Sequence, residues 1–149
     1  MANILVVDDD PELREMLRDI LANKGYSVIC VGTGKEAIAA SFNNLFNLAL
    51  VDIHLPDIEG TDLLSKLRKS EPELVKIIIT GKPTLDNSIN SANMGVDGFI
   101  VKPFDPKKLL TLIENKLKEQ QEKMRFDDEK VAEYIETRNE WMANNRLRR

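Results

Sequence analysis

The chain has 149 residues, 42% of them hydrophobic and 31% charged, with a formal net charge of −4; this is enough for one globular domain with a real core and too little for two ordinary ones. One cysteine, Cys30, excludes an intrachain disulfide framework and a cysteine-based zinc cluster, and the acidic balance argues against direct nucleic-acid binding, which needs a basic surface. No apolar run approaches the roughly 20 residues of a membrane helix, and Met1-Ala2-Asn3 leads into a strand-like run rather than a signal peptide, so a cytoplasmic protein without membrane contact is expected.

Asn3 to Val7 is a β-branched apolar run that ends at Asp8-Asp9-Asp10, with Pro11 next. Strand, acidic loop and helix follow from this order, with Asp10 as N-cap and Pro11 in the first helical turn. Leu13, Met16, Leu17, Ile20 and Leu21 recur at the spacing of one buried helix face, which leaves Arg14 and Arg18 toward solvent; Gly25 stops the helix. Tyr26 to Val31 reads as the second strand, with Cys30 as a small buried residue on it. Thr33-Gly34-Lys35-Glu36 has the form of a capping box, opening a helix through Ala37, Ile38 and Phe42 toward Phe46.

Leu48 to Val51 is a third apolar strand, stopped by Asp52 and a turn-rich loop, His54-Leu55-Pro56-Asp57 to Gly60. Leu63, Leu64 and Leu67 predict a short helix ending near Ser70-Glu71-Pro72. Lys76 to Thr80 is the fourth strand. The stretch from Thr84 to Asn93 predicts a fourth helix, short and weakly stable because Asn87, Ser88, Asn90, Ser91 and Asn93 are mediocre helix formers. Gly98 to Val101 is the fifth strand, Lys102-Pro103-Phe104 its exit, and Asp105-Pro106 starts a fifth helix that buries Leu109, Leu112, Ile113 and Leu117. Five alternations of strand and helix imply a doubly wound α/β fold, a parallel sheet covered on both sides.

Parallel strands bring their carboxyl ends to one edge, the place where open α/β sheets bind ligands. Asp8-Asp9, Asp52, Thr80 and Lys102 each lie at or just beyond such an end. Carboxylates held together repel unless a cation neutralises them, and aspartate oxygens suit Mg²⁺, which bridges readily to phosphate. A lysine ammonium and a threonine hydroxyl can meet further phosphoryl oxygens. The pocket is therefore expected to handle a phosphoryl group.

Val6-Val7-Asp8-Asp9-Asp10 with Pro11, Val51-Asp52 with Leu55-Pro56-Asp57 and Gly60, Thr80-Gly81, Gly95, and Val101-Lys102-Pro103-Phe104 together resemble the receiver domain of two-component response regulators, the CheY-like superfamily. The resemblance spans about four fifths of the chain. It implies a flavodoxin-like (βα)5 fold with a five-stranded sheet in the order 2-1-3-4-5, a receiver over residues 1–118 and a C-terminal helical extension over 119–149. It further implies that Asp52 accepts the phosphoryl group from a sensor histidine kinase or phosphotransfer protein. Asp9 would bind Mg²⁺ directly, Asp8 through water, and Asp52 and the backbone carbonyl of His54 would complete the set. Thr80 and Lys102 would contact the phosphoryl oxygens, with Thr80 and Phe99 as the switch toward a downstream protein target. The Lys102–Pro103 bond would be cis. No turnover chemistry is implied beyond self-phosphorylation and slow self-dephosphorylation, and Lys82 and His54 flank the route of a hydrolytic water.

Other readings stay open on the sequence. The chain suits the front of a larger regulator whose output is a transcription factor or hybrid kinase. An aspartyl-nucleophile phosphatase would usually carry a second acid two residues after the first, where this chain has His54. Beyond Leu117, Leu110, Leu117, Met124 and Val131 recur at intervals of seven with Ile113, Tyr134 and Trp141 at companion positions, interrupted by Gln120 and Asp127. Phe126-Asp127-Asp128-Glu129 could instead end one helix and cap another. The tail is expected to extend the fifth helix and to dimerise the protein, dock on a partner, or fold back on its own receiver; Arg146-Leu147-Arg148-Arg149 forms a small basic end.

Overall fold

The computed structural model describes residues 1–81 and 95–147. The expected helix from Thr84 to Asn93, Lys82, and the closing Arg148 and Arg149 lie outside the described residues. Five strands, β1 (Asn3–Val7), β2 (Ser27–Val31), β3 (Leu48–Asp52), β4 (Val75–Thr80) and β5 (Gly98–Val101), pair in parallel in the order β2-β1-β3-β4-β5, as the resemblance implies. Helices α1 (Pro11–Asn23), α2 (Gly34–Asn43) and α3 (Gly60–Lys66) follow the first three strands, and a C-terminal helix runs over Pro106–Leu147. Phe126 to Glu129 therefore does not break it. None of the described helices is long and apolar enough to cross a membrane. The chain divides into two compact units, Met1–Leu117 and Lys118–Arg149.

Alternation along the strands builds two cores in the first unit. Ile4, Val6, Leu48, Leu50, Ile77 and Ile79 point to one face, packed with Leu17 and Leu21 of α1 and Leu109, Ile113 and Leu117 of the C-terminal helix. Leu5, Val7, Ala49, Val51 and Ile78 point to the other, packed with Ala37 of α2 and Leu63, Leu64 and Leu67 around α3. The period of two in a strand and the stripe on each helix account for this sorting. β3 is the central strand and every residue of it is buried.

The caps form as the sequence predicts. The Asp10 carboxylate accepts from Glu12 N–H at 3.0 Å, Thr33 Oγ1 accepts from Glu36 N–H at 3.1 Å, and Asp105 accepts from Lys107 N–H at 2.9 Å. Gly25, at φ +92°, follows α1 in the left-handed conformation that favours glycine. On α2 the small residues Gly34, Ala37 and Ser41 are buried and Phe42 is 60% exposed. Two expectations are corrected. Met16 is 41% exposed, because it lies about 100° around α1 from Leu17 and falls outside the buried stripe. Cys30 is only half-buried, since β2 is an edge strand.

Candidate functional site

Sheet register assembles the site. Val7 lies level with Val51, so Asp8 comes beside Asp52; Thr80 lies level with Val101, so Lys102 follows one residue beyond. The backbone continues this alignment past β5, where Lys102 N–H donates to the Thr80 carbonyl at 2.7 Å. Asp8, Asp52 and Thr80 are buried, Asp9 is exposed, and carboxylate oxygens of Asp8, Asp9 and Asp52 all lie within 4.8 Å of one another. The Lys102 ammonium bridges the two buried acids, at 2.9 Å from Asp8 Oδ2 and 3.1 Å from Asp52 Oδ2. It comes from 94 residues away in the chain in one case and 50 in the other.

Burial pushes the Asp8 carboxyl above its ordinary range. Hydrogen bonds from Asp10 N–H and Lys102 and the lysine's charge pull the other way, while the Asp52 charge adds to the rise. Burial alone would lower the Lys102 ammonium, but its hydrogen bonds to Asp8 and Asp52 and their charges outweigh this, so it is raised and stays protonated at neutral pH. Among the described residues, three carboxylates against one ammonium leave the cluster short of positive charge. All its free donors are hard oxygens, the set that suits Mg²⁺, and the exposed side is Asp9. The residues present therefore fit that ion.

The loop after β3 is held by backbone. The Asp52 Oδ1 atom accepts from His54 N–H at 3.1 Å, His54 and Glu59 form an isolated antiparallel bridge, and Gly60 N–H donates to the Ile53 carbonyl at 2.7 Å. The His54 side chain is exposed. A Cβ at Gly60 would fall on the Asp52 carbonyl, so only glycine lets α3 start this close to the acid. Phe99 is half-buried on β5, level with Ile78, and packs against the second core. The Lys102–Pro103 bond is cis, as is Glu71–Pro72.

Two contributors escape sequence reading. Arg14, expected in solvent, turns back so that Nη1 donates to the Asp8 carbonyl at 2.6 Å. This guanidinium also lies beside Gly32, so it ties the acidic loop to the loop after β2. Asp57 accepts from Gly34 N–H at 2.8 Å and Lys35 N–H at 2.9 Å, capping α2 from another loop. These bonds hold its carboxyl below the ordinary range. Helical spacing could not have flagged Arg14. For Asp57, the only hint was a carboxylate in a loop at the same sheet edge as a helix start.

Residues 4–114 match the sequence profile described as "Response regulator receiver domain". A receiver domain protein (CheY-like) from Methanospirillum hungatei superposes with a TM-score of 0.79 at 45% identity, covering 83% of this chain and 98% of that one. The probable transcriptional regulatory protein TcrX of Mycobacterium tuberculosis is 37% identical over 101 residues, 68% of this chain and 43% of its own length. The probable transcriptional regulator ycf29 of Porphyra purpurea is 35% identical over 115 residues, 76% of this chain and 55% of its own. The chain thus spans about half the length of the curated relatives it matches.

Proposed function

The chain belongs to the response-regulator receiver domain family, and from that premise we propose that Asp52 is the phosphoryl acceptor of a two-component signalling switch. The observation that carries the proposal is the Lys102 ammonium shared by the buried Asp8 and Asp52 carboxylates, with Asp9 in the same cluster. A carboxylate oxygen of Asp52 forms a bond to phosphorus as the bond from phosphorus to a kinase phosphohistidine nitrogen breaks; the imidazole leaves and an acyl phosphate remains on Asp52. Asp8, Asp9, Asp52 and the His54 carbonyl would hold Mg²⁺, which when bound neutralises charge on the phosphoryl oxygens. Lys102 contributes a positive charge already beside the acceptor, and its hydrogen bonds keep the Asp52 carboxylate in one orientation. Thr80, buried at the end of β4, is within the sheet edge that a phosphoryl group would occupy. Its movement toward that group, followed by Phe99, would carry the signal to the face formed by β5 and the start of the C-terminal helix.

The partners under this reading are a sensor histidine kinase or phosphotransfer protein and a downstream protein target, with the switch working in the cytoplasm. The coverage of the relatives supports a second form of the proposal, in which this receiver governs an output module such as those of the transcriptional regulators it resembles. One experiment tests the acceptor role. The protein is incubated with Mg²⁺ and phosphoramidate and its intact mass is followed. A hydroxylamine-labile adduct of one phosphoryl group is expected, absent in Asp52→Asn and absent with EDTA. Rapid phosphate release over many turnovers without an adduct would favour a phosphatase instead.

A further inference from the structure

After Leu117 the C-terminal helix leaves Met124, Val131, Tyr134, Ile135, Trp141 and Met142 between 38% and 67% exposed. At 3.6 residues per turn these six fall in one stripe about 120° wide. The same stripe contains Asp127 and Arg138. Neither forms an ion pair among the described residues. Arg138 has no local acid to meet, because the positions one turn away on either side are Tyr134, Ile135, Trp141 and Met142. A charge set in an apolar stripe without a partner on its own helix calls for one on another helix.

The order of residues along the stripe identifies that helix. About the midpoint between Ala132 and Glu133 the positions spaced alternately three and four apart are symmetric: apolar Val131 and Tyr134 flank the centre, then acidic Asp127 and basic Arg138, then apolar Met124 and Trp141, while Ile135 and Met142 lie at the edge of the stripe with Lys130 and Lys123 as their counterparts. Gln120 and Asn145 continue the symmetry outward as amide against amide. We infer that this stretch forms an antiparallel two-stranded coiled coil with a second copy of the chain, the two-fold axis passing beside Ala132 and Glu133. Each Asp127 then faces the partner's Arg138, Met124 faces the partner's Trp141, and Val131 faces the partner's Tyr134. Every contact occurs twice, as an isologous interface requires.

A parallel in-register pair is the competing arrangement, and it sets Asp127 against Asp127 and Arg138 against Arg138 in the seam. Like charges placed there lose both to repulsion and to desolvation. The one contact that favours the parallel form, Lys123 with Asp128 of the partner, lies at the solvated rim and is worth little. The Asp127–Arg138 pair adds orientation and register rather than net stability, as polar residues at seam positions do. Because the argument involves no residue of the phosphoryl site, its failure and that of the proposed acceptor role are separable.

The test is sedimentation equilibrium on the full chain and its charge variants. The parent is expected at twice the 16.9 kDa chain mass. Asp127→Arg and Arg138→Asp each face like with like and are expected at the single-chain mass, with helix content by circular dichroism retained. The double variant carrying both changes restores the opposite-charge contacts and returns to the dimer. In a Cys30→Ser background, mixing Met124→Cys with Trp141→Cys chains should give a disulfide-linked heterodimer, whereas Met124→Cys alone should not crosslink. A monomeric parent, a dimer indifferent to the single reversals, a double variant that stays monomeric, or efficient crosslinking of Met124→Cys with itself would each overturn the inference. A monomer whose Trp141 is shielded from a fluorescence quencher would also overturn it, in favour of a tail folded on its own receiver.

Discussion

Lys102 meets Asp8 and Asp52 together, and among the described residues the carboxylate of Asp9 has no ammonium paired with it. A buried acid raised above its ordinary value of 3.8 opposes folding as the pH rises past that value, and the cost is complete above its folded-state pKa. Asp8→Asn removes that cost while Lys102 keeps Asp52. Without divalent cations and at neutral pH it is therefore expected to melt above the parent, the gap closing toward acid pH. Mg²⁺ should stabilise the parent by about 1.4 kcal/mol for each tenfold rise above its dissociation constant and the variant far less. Thermal unfolding in EDTA and in a magnesium series checks both; a less stable Asp8→Asn in EDTA would mean that its pairing with Lys102 outweighs the cost of burying the carboxylate. The chemistry-bearing residues were legible because each ends a strand, and a parallel sheet collects strand ends. The role of Arg14 was not, because the reach of a long side chain depends on where the next loop lies.

Elements are joined at the site by contacts that local sequence patterns do not encode. The start of α3 lies against the end of β3, and Gly60→Ala would drive a methyl group onto the Asp52 carbonyl. Displacing either backbone should cost about 1–3 kcal/mol and slow phosphorylation with it; urea denaturation and adduct formation measured on one preparation report both. α2 is tied to the same loop through Asp57. Its pKa is lowered by the Gly34 and Lys35 N–H groups, so the stability it adds is full above 3.8 and disappears as the pH falls through the lower, folded-state value. Asp57→Ala is expected to unfold earlier than the parent at neutral pH and to converge with it in acid. A difference independent of pH would point to packing rather than the carboxylate. Strands and helix starts could be read from apolar runs and caps, whereas the face of α1 was misjudged at Met16. Spacing places a residue on a stripe but does not say how closely the helix approaches the sheet.

At the scale of the whole molecule, a receiver whose acids come from β1 and β3 and whose cation follows β5 joins a helical segment with an exposed apolar stripe. The strand order could be anticipated through the family resemblance, since alternating strands and helices alone allow several windings. The extension of the fifth helix into the tail was also expected from the apolar spacing, although Asp127 and Asp128 offered a cap as the alternative, and the helix runs through them unbroken. Everything proposed for signalling rests on one covalent event. After incubation with phosphoramidate and Mg²⁺, borohydride reduction converts an aspartyl phosphate to homoserine, and peptide mass spectrometry locates it. The account predicts homoserine at position 52 and at no other aspartate, with none in Asp52→Asn; reduction at Asp8, Asp9 or Asp57 in the parent, or at none of them, would contradict it.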